Sequence, residues 1–227
     1  MLTFELRALH QIEMTSNCNL RCRYCPSPHL QRPKLHMSDE HYTKSLKWAT
    51  YFVRTHKQRE LNLAGIGEST IHPEFVRNVH LAREAVGDSC DLVLATNGVV
   101  VTDELARAIA PARPRVWVSN HRPEKSGPAI NALRRAGVLA GTSNDPAEHA
   151  INWAGQVKWE VSVAGKRHCQ WVTSGRCMVM ADGRLTRCCL DASGSGVLGT
   201  IDDDLTKIRT SPYVLCKTCD EDVGVPV

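Results

Sequence analysis

Three cysteines stand close together near the start of the chain, in the stretch SNCNLRCRYCPSP over residues 16–28. Cys18, Cys22 and Cys25 form a C-x3-C-x2-C pattern that puts three thiolates on one short loop. Zinc takes four tetrahedral ligands, usually as paired C-x2-C knuckles, so a lone triplet suits it poorly. A four-iron cluster is different, because each iron needs one external ligand. Three cysteines would hold three irons and leave the fourth open. The missing ligand then becomes a binding position.

The chain has 227 residues and ten cysteines. Six of these, Cys169, Cys177, Cys188, Cys189, Cys216 and Cys219, fall in the last quarter, and Cys90 stands alone between the groups. The opening residues MLTFELRALHQIEM carry no basic segment followed by an apolar run, so no signal peptide is expected there. No stretch approaches the roughly 18 apolar residues of a membrane span. The expected location is therefore the cytoplasm, where thiols stay reduced and clustered cysteines are better read as metal ligands than as disulfides. Hydrophobic content of 42% and charged content of 23% are ordinary for a globular protein. A net charge of +4 does not demand a nucleic-acid partner but admits one.

The elements that must position the first cysteines alternate between strand and helix signals. HQIEM (10–14) reads as a short apolar strand running into the cysteine loop. Ser38 should cap a helix that places Tyr42, Leu46, Ala49 and Val53 on one face. ELNLAG (60–65) reads as a strand. Pro73 is expected to open a helix with Phe75, Val79, Ala82 and Val86 inside and Gly87 at its end. DLVLATNG (91–98) reads as a buried strand, Thr102 as a helix cap, RVWVSN (115–120) as a strand, PAINALRRAG (128–137) as a helix and VLAGT (138–142) as a weak strand. VKWEVSV (157–163) puts Val157, Trp159, Val161 and Val163 on one face. Strands separated by helices of this length indicate βαβ units and a parallel sheet. About six such units before residue 165 predict an α/β fold, a partial open (β/α) barrel, because a closed barrel needs eight. The cysteine loop, GIGEST, TNG and SN each follow a strand, so the pattern gathers them at one rim.

After residue 165 the texture changes to Gly, Thr and Ser, with short strands at CMVM (177–180) and RLTRCC (184–189). The Asp-Gly of MADGRL marks a hairpin between them. This reads as a small cysteine-rich module, residues 166–227, that lacks a large apolar core and depends on bound metal.

The cysteine stretch resembles the defining motif of the radical S-adenosylmethionine (SAM) superfamily. Asn17, Asn19 and Leu20 flank Cys18 as in many members, and Tyr24 occupies the aromatic slot that lies near the adenine. AGIGESTIHPEF (64–75) resembles the Gly-rich segment in which a backbone edge and a glutamate, here Gly67 and Glu68, receive the SAM amino group. Ser69 stands where a proline is usual, which should soften that turn. ATNG (95–98) matches the third-strand motif with Asn97 toward SAM. Ser119 matches a position that contacts the methionyl carboxylate or ribose. The resemblance implies a SAM-binding 4Fe-4S cluster on Cys18, Cys22 and Cys25, reductive cleavage of SAM, and hydrogen abstraction by the resulting 5′-deoxyadenosyl radical.

The C-terminal segment resembles the SPASM/Twitch extensions of that family, and its length suits the shorter Twitch form. The resemblance implies a second, auxiliary 4Fe-4S cluster on Cys169, Cys188, Cys216 and Cys219, with a four-cysteine structural zinc as the alternative. Cys188 is preferred to Cys189 by its spacing from Gly183 and because neighbours on a strand point to opposite faces. Cys177 reads as a small buried apolar residue.

The implied reaction is oxidation or binding of a small polar substrate assisted by the auxiliary cluster, as in Twitch-type aminocyclitol dehydrogenases. Peptide-modifying relatives carry a leader-peptide domain, for which the position of the triplet at residue 18 leaves no room. A second possibility is an isomerase or modifying enzyme acting on a nucleotide or a base in DNA. Arg21, Arg23, Arg32, Lys34, Arg122 and Lys125 lie near the loops and could serve such a substrate. A non-catalytic iron–sulfur protein is the third, against which the open iron and the SAM loops speak. Flavodoxin or ferredoxin is the expected reducing partner. Glu13, His121, Arg122 and Asp191 are candidates for acid–base work or substrate contact, with Glu13 read as an interior carboxylate paired to an Arg or Lys. None is assigned as a catalytic acid or base.

Overall fold

A computed structural model describes residues 3–144, 153–157, 167–168, 170–217, 219 and 221–222. In chain order the elements are β1 (Phe4–Glu5), β2 (Ala8–Ile12), α1 (Asp39–His56), β3 (Glu60–Asn62), α2 (Phe75–Val86), β4 (Asp91–Thr96), α3 (Asp103–Ile109), β5 (Arg115–Ser119), α4 (Pro123–Arg135) and β6 (Leu139–Ser143). The remainder are β7 (Arg167–His168), α5 (Gln170–Thr173), β8 (Arg176–Val179), β9 (Arg184–Thr186), β10 (Val197–Thr200), β11 (Arg209–Thr210) and β12 (Glu221–Asp222). Eight strands form one sheet in the order β10-β9-β8-β2-β3-β4-β5-β6. From β8 to β6 every neighbouring pair is parallel, as strands joined by helical crossovers must be. Four helices alternate with β2 to β6, so the described residues hold a parallel α/β sheet of the expected kind. Of the sixth strand expected at 157–163, all but Val157 lies outside the described residues. No described helix is long and apolar enough to cross a membrane.

Local chemistry explains most boundaries. The Ser38 hydroxyl accepts from the His41 amide at 3.2 Å and starts α1. Thr102 does the same for Leu105 at 3.1 Å and starts α3. Gly87 ends α2 with φ +65°. Tyr42, Leu46, Ala49 and Phe52 of α1, with Phe75, Val79, Ala82 and Val86 of α2, pack on Leu61, Leu92, Leu94, Val116 and Val118 of the strands. Three expectations shift. Phe52, rather than Val53, completes the buried stripe of α1. α2 begins at Phe75, because Pro73 and Glu74 belong to the turn before it. α4 begins at Pro123, five residues before the expected start, with Pro128 inside the helix. Proline is well suited to a first helical position, and Pro123 supplies it.

The hairpin β8–β9 turns at Gly183, φ +84°, as its Asp-Gly signal predicts. It extends the central sheet, because β8 pairs in parallel with the free edge of β2. Cys177, Val179, Ala181, Leu185, Ile201 and Leu205 join the main core, so the segment builds none of its own. Cys177 is fully buried there as an apolar filler, with burial raising its thiol to about 12.

One buried ion pair ties these parts together. The Glu13 carboxylate, immediately after β2, accepts from Arg32 Nη2 at 2.8 Å and from the Ile66 amide at 3.0 Å. Its other oxygen accepts from the Ala181 amide at 2.9 Å. Arg32 Nε donates to the Ala192 carbonyl at 2.7 Å. Both side chains are out of solvent, 0% and 2% exposed. Removing one partner of such a pair strands the other's charge, which typically costs 3–5 kcal/mol. Arg32→Ala should therefore lower unfolding free energy by about 3–5 kcal/mol in denaturant titration; a loss under about 1 kcal/mol would show that the pair is dispensable.

Candidate active site

The cysteine loop runs from the end of β2 to α1. It is closed at its base by the antiparallel bridge of Thr15 with His36. Within it the Cys25 amide donates to the Cys22 carbonyl at 3.2 Å. Backbone amides aim at two of the sulfurs: Leu20 at Cys18 Sγ, 3.4 Å, and Ser27 at Cys25 Sγ, 3.4 Å. Such donors favour thiolate over thiol. Burial opposes them, raising Cys18 and pushing Cys25 up to about 11. A coordinated metal cation resolves that conflict by deprotonating the thiols outright. The three cysteines line a cleft without converging on one point, and no described group of three Cys, His, Asp or Glu could hold a single ion. That donor set fits a polynuclear cluster, each iron of which takes one thiolate.

The loops after β3, β4 and β5 form the opposite wall. Gly67 is forced by close backbone approach: a Cβ there would lie 2.2 Å from the Thr15 carbonyl oxygen and 2.4 Å from that of Asn17. The next amide, of Glu68, donates to the Asn17 carbonyl at 2.8 Å. Glu68 is only 4% exposed, so it is no solvated loop acid. Its Oε1 accepts from the Thr70 amide and hydroxyl at 3.2 and 2.6 Å and from the Thr96 hydroxyl at 2.8 Å. Its Oε2 accepts from the Asn97 amide at 2.7 Å. A carboxylate offers about four lone-pair sites, two on each oxygen, so Oε2 keeps capacity for one further donor. Ser69 holds the turn without the usual proline by donating its hydroxyl to the Leu63 carbonyl at 2.7 Å.

Asn97 spans the cleft rim. Its Nδ2 donates to Asn19 Oδ1 at 2.7 Å and its Oδ1 accepts from the Val99 amide at 2.9 Å. The Tyr24 hydroxyl hydrogen-bonds His121 Nδ1, and the Tyr24 carbonyl accepts from the Trp153 indole at 3.0 Å. Burial raises the Tyr24 phenol, with the Cys22 thiol adding to it. Cys18, Cys22, Cys25, Tyr24, Gly67, Glu68, Asn97 and Ser119 all line this one cleft of about 710 Å³, counting solvent at its mouth. His121 and Arg122 line it too. Thr96 was not legible in the sequence, because a hydroxyl that serves a carboxylate from another strand has no local signature; Thr70, two residues after Glu68, is a local partner.

The remaining candidates have other work. Glu13 is held by Arg32. Asp191 is fully buried and accepts from the Gly194, Ser195 and Gly196 amides and the Thr186 and Ser195 hydroxyls, which shapes the loop after β9. Arg32 is not a cleft cation but half of the buried pair.

Near the C-terminus, β9 ends at Thr186, so Cys188 and Cys189 lie in a turn beyond it. Strand alternation does not separate them. Their thiols meet, and the Cys189 thiol together with burial raises Cys188 well above its ordinary value. The Leu190 amide donates to Cys188 Sγ at 3.3 Å and the Tyr213 amide to Cys216 Sγ at 3.4 Å, the same pattern as in the first loop. Cys219 is half-buried, and Cys169 lies outside the described residues.

A family model described as the radical SAM superfamily matches residues 12–163. The chain is 33% identical over 99 residues to the tungsten-containing aldehyde ferredoxin oxidoreductase cofactor-modifying protein of Pyrococcus furiosus, which covers 44% of this chain and 26% of that protein. It is 26% identical over 202 residues to GTP 3′,8-cyclase 1 of Mycobacterium tuberculosis, covering 71% of this chain and 53% of that protein. The matched parts thus span between a quarter and about half of these relatives. Among solved structures, BtrN in complex with AdoMet and 2-DOIA aligns with a TM-score of 0.72 at 17% identity, over 87% of this chain and 79% of BtrN. Native anSMEcpe with bound AdoMet and Cp18Cys peptide aligns at 0.61 and 16% identity, over 88% and 79%. At such identities the likeness is one of fold.

Gly67 is the tightest backbone contact in the cleft. Gly67→Ala should destabilise the protein by about 2–3 kcal/mol and lower iron incorporation, read by denaturant melting beside iron assay; a variant with wild-type values of both would disprove the contact. With the cleft built this way and the family model matching residues 12–163, the chain belongs to the radical SAM superfamily.

Proposed function

We propose that this protein is a SAM-cleaving enzyme that oxidises or rearranges a small polar substrate, with residues 1–165 as the catalytic core and 166–227 as an auxiliary-cluster module. One observation carries the reading: eight residues, the cysteine triplet read from its spacing and five singled out by the family resemblance, line a single cleft. Cys18, Cys22 and Cys25 would hold a 4Fe-4S cluster. Glu68, through the free capacity of Oε2, and the backbone edge at Gly67 would receive the SAM amino group. Tyr24 would lie by the adenine, and Asn97 and Ser119 would face the rest of the cofactor. When bound and reduced, cluster and SAM together supply a 5′-deoxyadenosyl radical that takes a hydrogen from the substrate. The protein's own part is to orient the reactants and exclude water from them.

Cys188, Cys216 and Cys219, with Cys169, are proposed to hold the second 4Fe-4S cluster. The amide donors aimed at Cys188 and Cys216 support that choice, and the meeting of the Cys188 and Cys189 thiols makes either one geometrically available. Charge in the cleft favours a small polar substrate over a base in DNA. Of the six cations near the loops only Arg122 lines the cleft. Flavodoxin or ferredoxin remains the proposed electron donor.

The test is iron and sulfide content after anaerobic reconstitution, for wild type and a Cys18/Cys22/Cys25→Ala variant, with release of 5′-deoxyadenosine from SAM. About eight irons falling to about four, with release lost, are expected. About four falling to none would remove the auxiliary cluster. Absence of iron from both would sink the proposal.

A further inference from the structure

A second cleft opens at the other end of the sheet, where the strands begin. It is lined by Arg7, Ala8 and His10 at the start of β2, by His56, Lys57, Gln58, Arg59 and Glu60 between α1 and β3, and by Ser174 and Arg176 at the start of β8. Its volume, again counting solvent at its mouth, is about 860 Å³. The three strands are adjacent in the sheet order β8-β2-β3, so chain segments far apart in sequence bring their cations to one place.

Three of the cations there are uncompensated. Arg7 pairs with Glu5. Lys57, Arg59 and Arg176 have no carboxylate partner among the described residues. Arg59 reaches only the Ser89 carbonyl, at 3.4 Å, and Lys57 the Arg54 carbonyl, at 3.2 Å. Glu60 is the one acid in the lining, and it faces His10 Nε2 at 3.4 Å. Burial and the Arg176 charge hold His10 down to about 4, so the imidazole is neutral at pH 7 and the contact is no ion pair.

Compensation of the α1 dipole accounts for cations at a helix C-terminus, and so for His56 and Lys57. It does not account for Arg59 or Arg176, which stand beyond the helix on strand-side chain. Lys57 also holds a left-handed backbone, φ 58°, that glycine or asparagine adopts more readily. Gln58 braces the wall between the strands: it is 7% exposed, and its Nε2 donates to the Leu9 and Glu60 carbonyls at 2.9 and 2.8 Å, with Oε1 shut off from solvent. The cleft therefore presents three cations that no described carboxylate pairs.

We infer that this cleft binds a small phosphorylated molecule, its phosphate held by Lys57, Arg59 and Arg176. Arginine suits the role because its planar fork meets phosphate oxygens in pairs. The site lies at the opposite end of the strands from the cysteine cleft, so it is separate from the SAM-binding machinery and does not depend on the function proposed above.

The experiment is titration calorimetry of the reconstituted full chain with inorganic pyrophosphate, with AMP, and with a 20-base-pair DNA duplex. Pyrophosphate and AMP should bind the wild type. An Arg59→Gln/Arg176→Gln variant of unchanged iron content and circular dichroism should bind both at least about tenfold more weakly, since each charged hydrogen bond lost is worth a factor of that order. If neither small ligand binds, or the double variant binds them as the wild type does, the inference fails. Binding of the duplex alone would overturn it in favour of a nucleic-acid backbone surface.

Discussion

The Glu13–Arg32 pair is the constraint on which the site's geometry hangs. Glu13 sits at the last step of β2, where the chain leaves the sheet for the cysteine loop. Its carboxylate holds the far side of that loop through Arg32, the Gly-rich loop after β3 through the Ile66 amide, and the C-terminal hairpin through the Ala181 amide. Arg32 continues the chain of bonds to Ala192, just after Cys188 and Cys189. Gly65 packs against it, since a Cβ there would lie 2.3 Å from Glu13 Cγ. A charge pair in the dry interior adds little net stability when complete and is severe when broken. Its effect is to make one arrangement of three segments much better than any other.

Glu68 does for the opposite wall what Glu13 does for the floor. It is a buried acid whose cost is met by four donors from two loops. Thr70 and Thr96 donate to Oε1 and the Asn97 amide to Oε2, which ties the loop after β3 to the end of β4. Asn97 then reaches across to Asn19, which ties that wall to the cysteine loop. The walls that line the cleft are thus joined before any ligand arrives, the condition for preorganised binding.

The hairpin β8–β9 changes what the C-terminal segment is physically. A module without its own core would need metal to fold. Here its apolar residues enter the main core and β8 takes the exposed edge of β2, which also removes a free strand edge. Cys188 and Cys189 follow just after β9, so an extension of the central sheet carries them.

Much of this was legible from residue types and spacing. The cysteine triplet was readable from its own spacing, and Gly67, Glu68, Asn97 and Ser119 from the segments that resemble the radical SAM family; parallel βα units put all such strand ends at one rim. Caps at Ser38 and Thr102 and the turn at Gly183 were readable because their hydrogen bonds are local. Tertiary structure decided the rest, where the partner is distant in sequence. Arg32 looks like a surface cation until Glu13 is placed beside it, and Asp191 like a candidate acid until the loop's amides surround it. Cys188 and Cys189 look opposed until β9 is seen to end at Thr186. The basic cleft at the foot of β8, β2 and β3 exists only because residues near positions 10, 58 and 176 become neighbours. Local bonds follow from the order of residues along the chain, whereas the pairing of buried charges depends on which strands lie side by side.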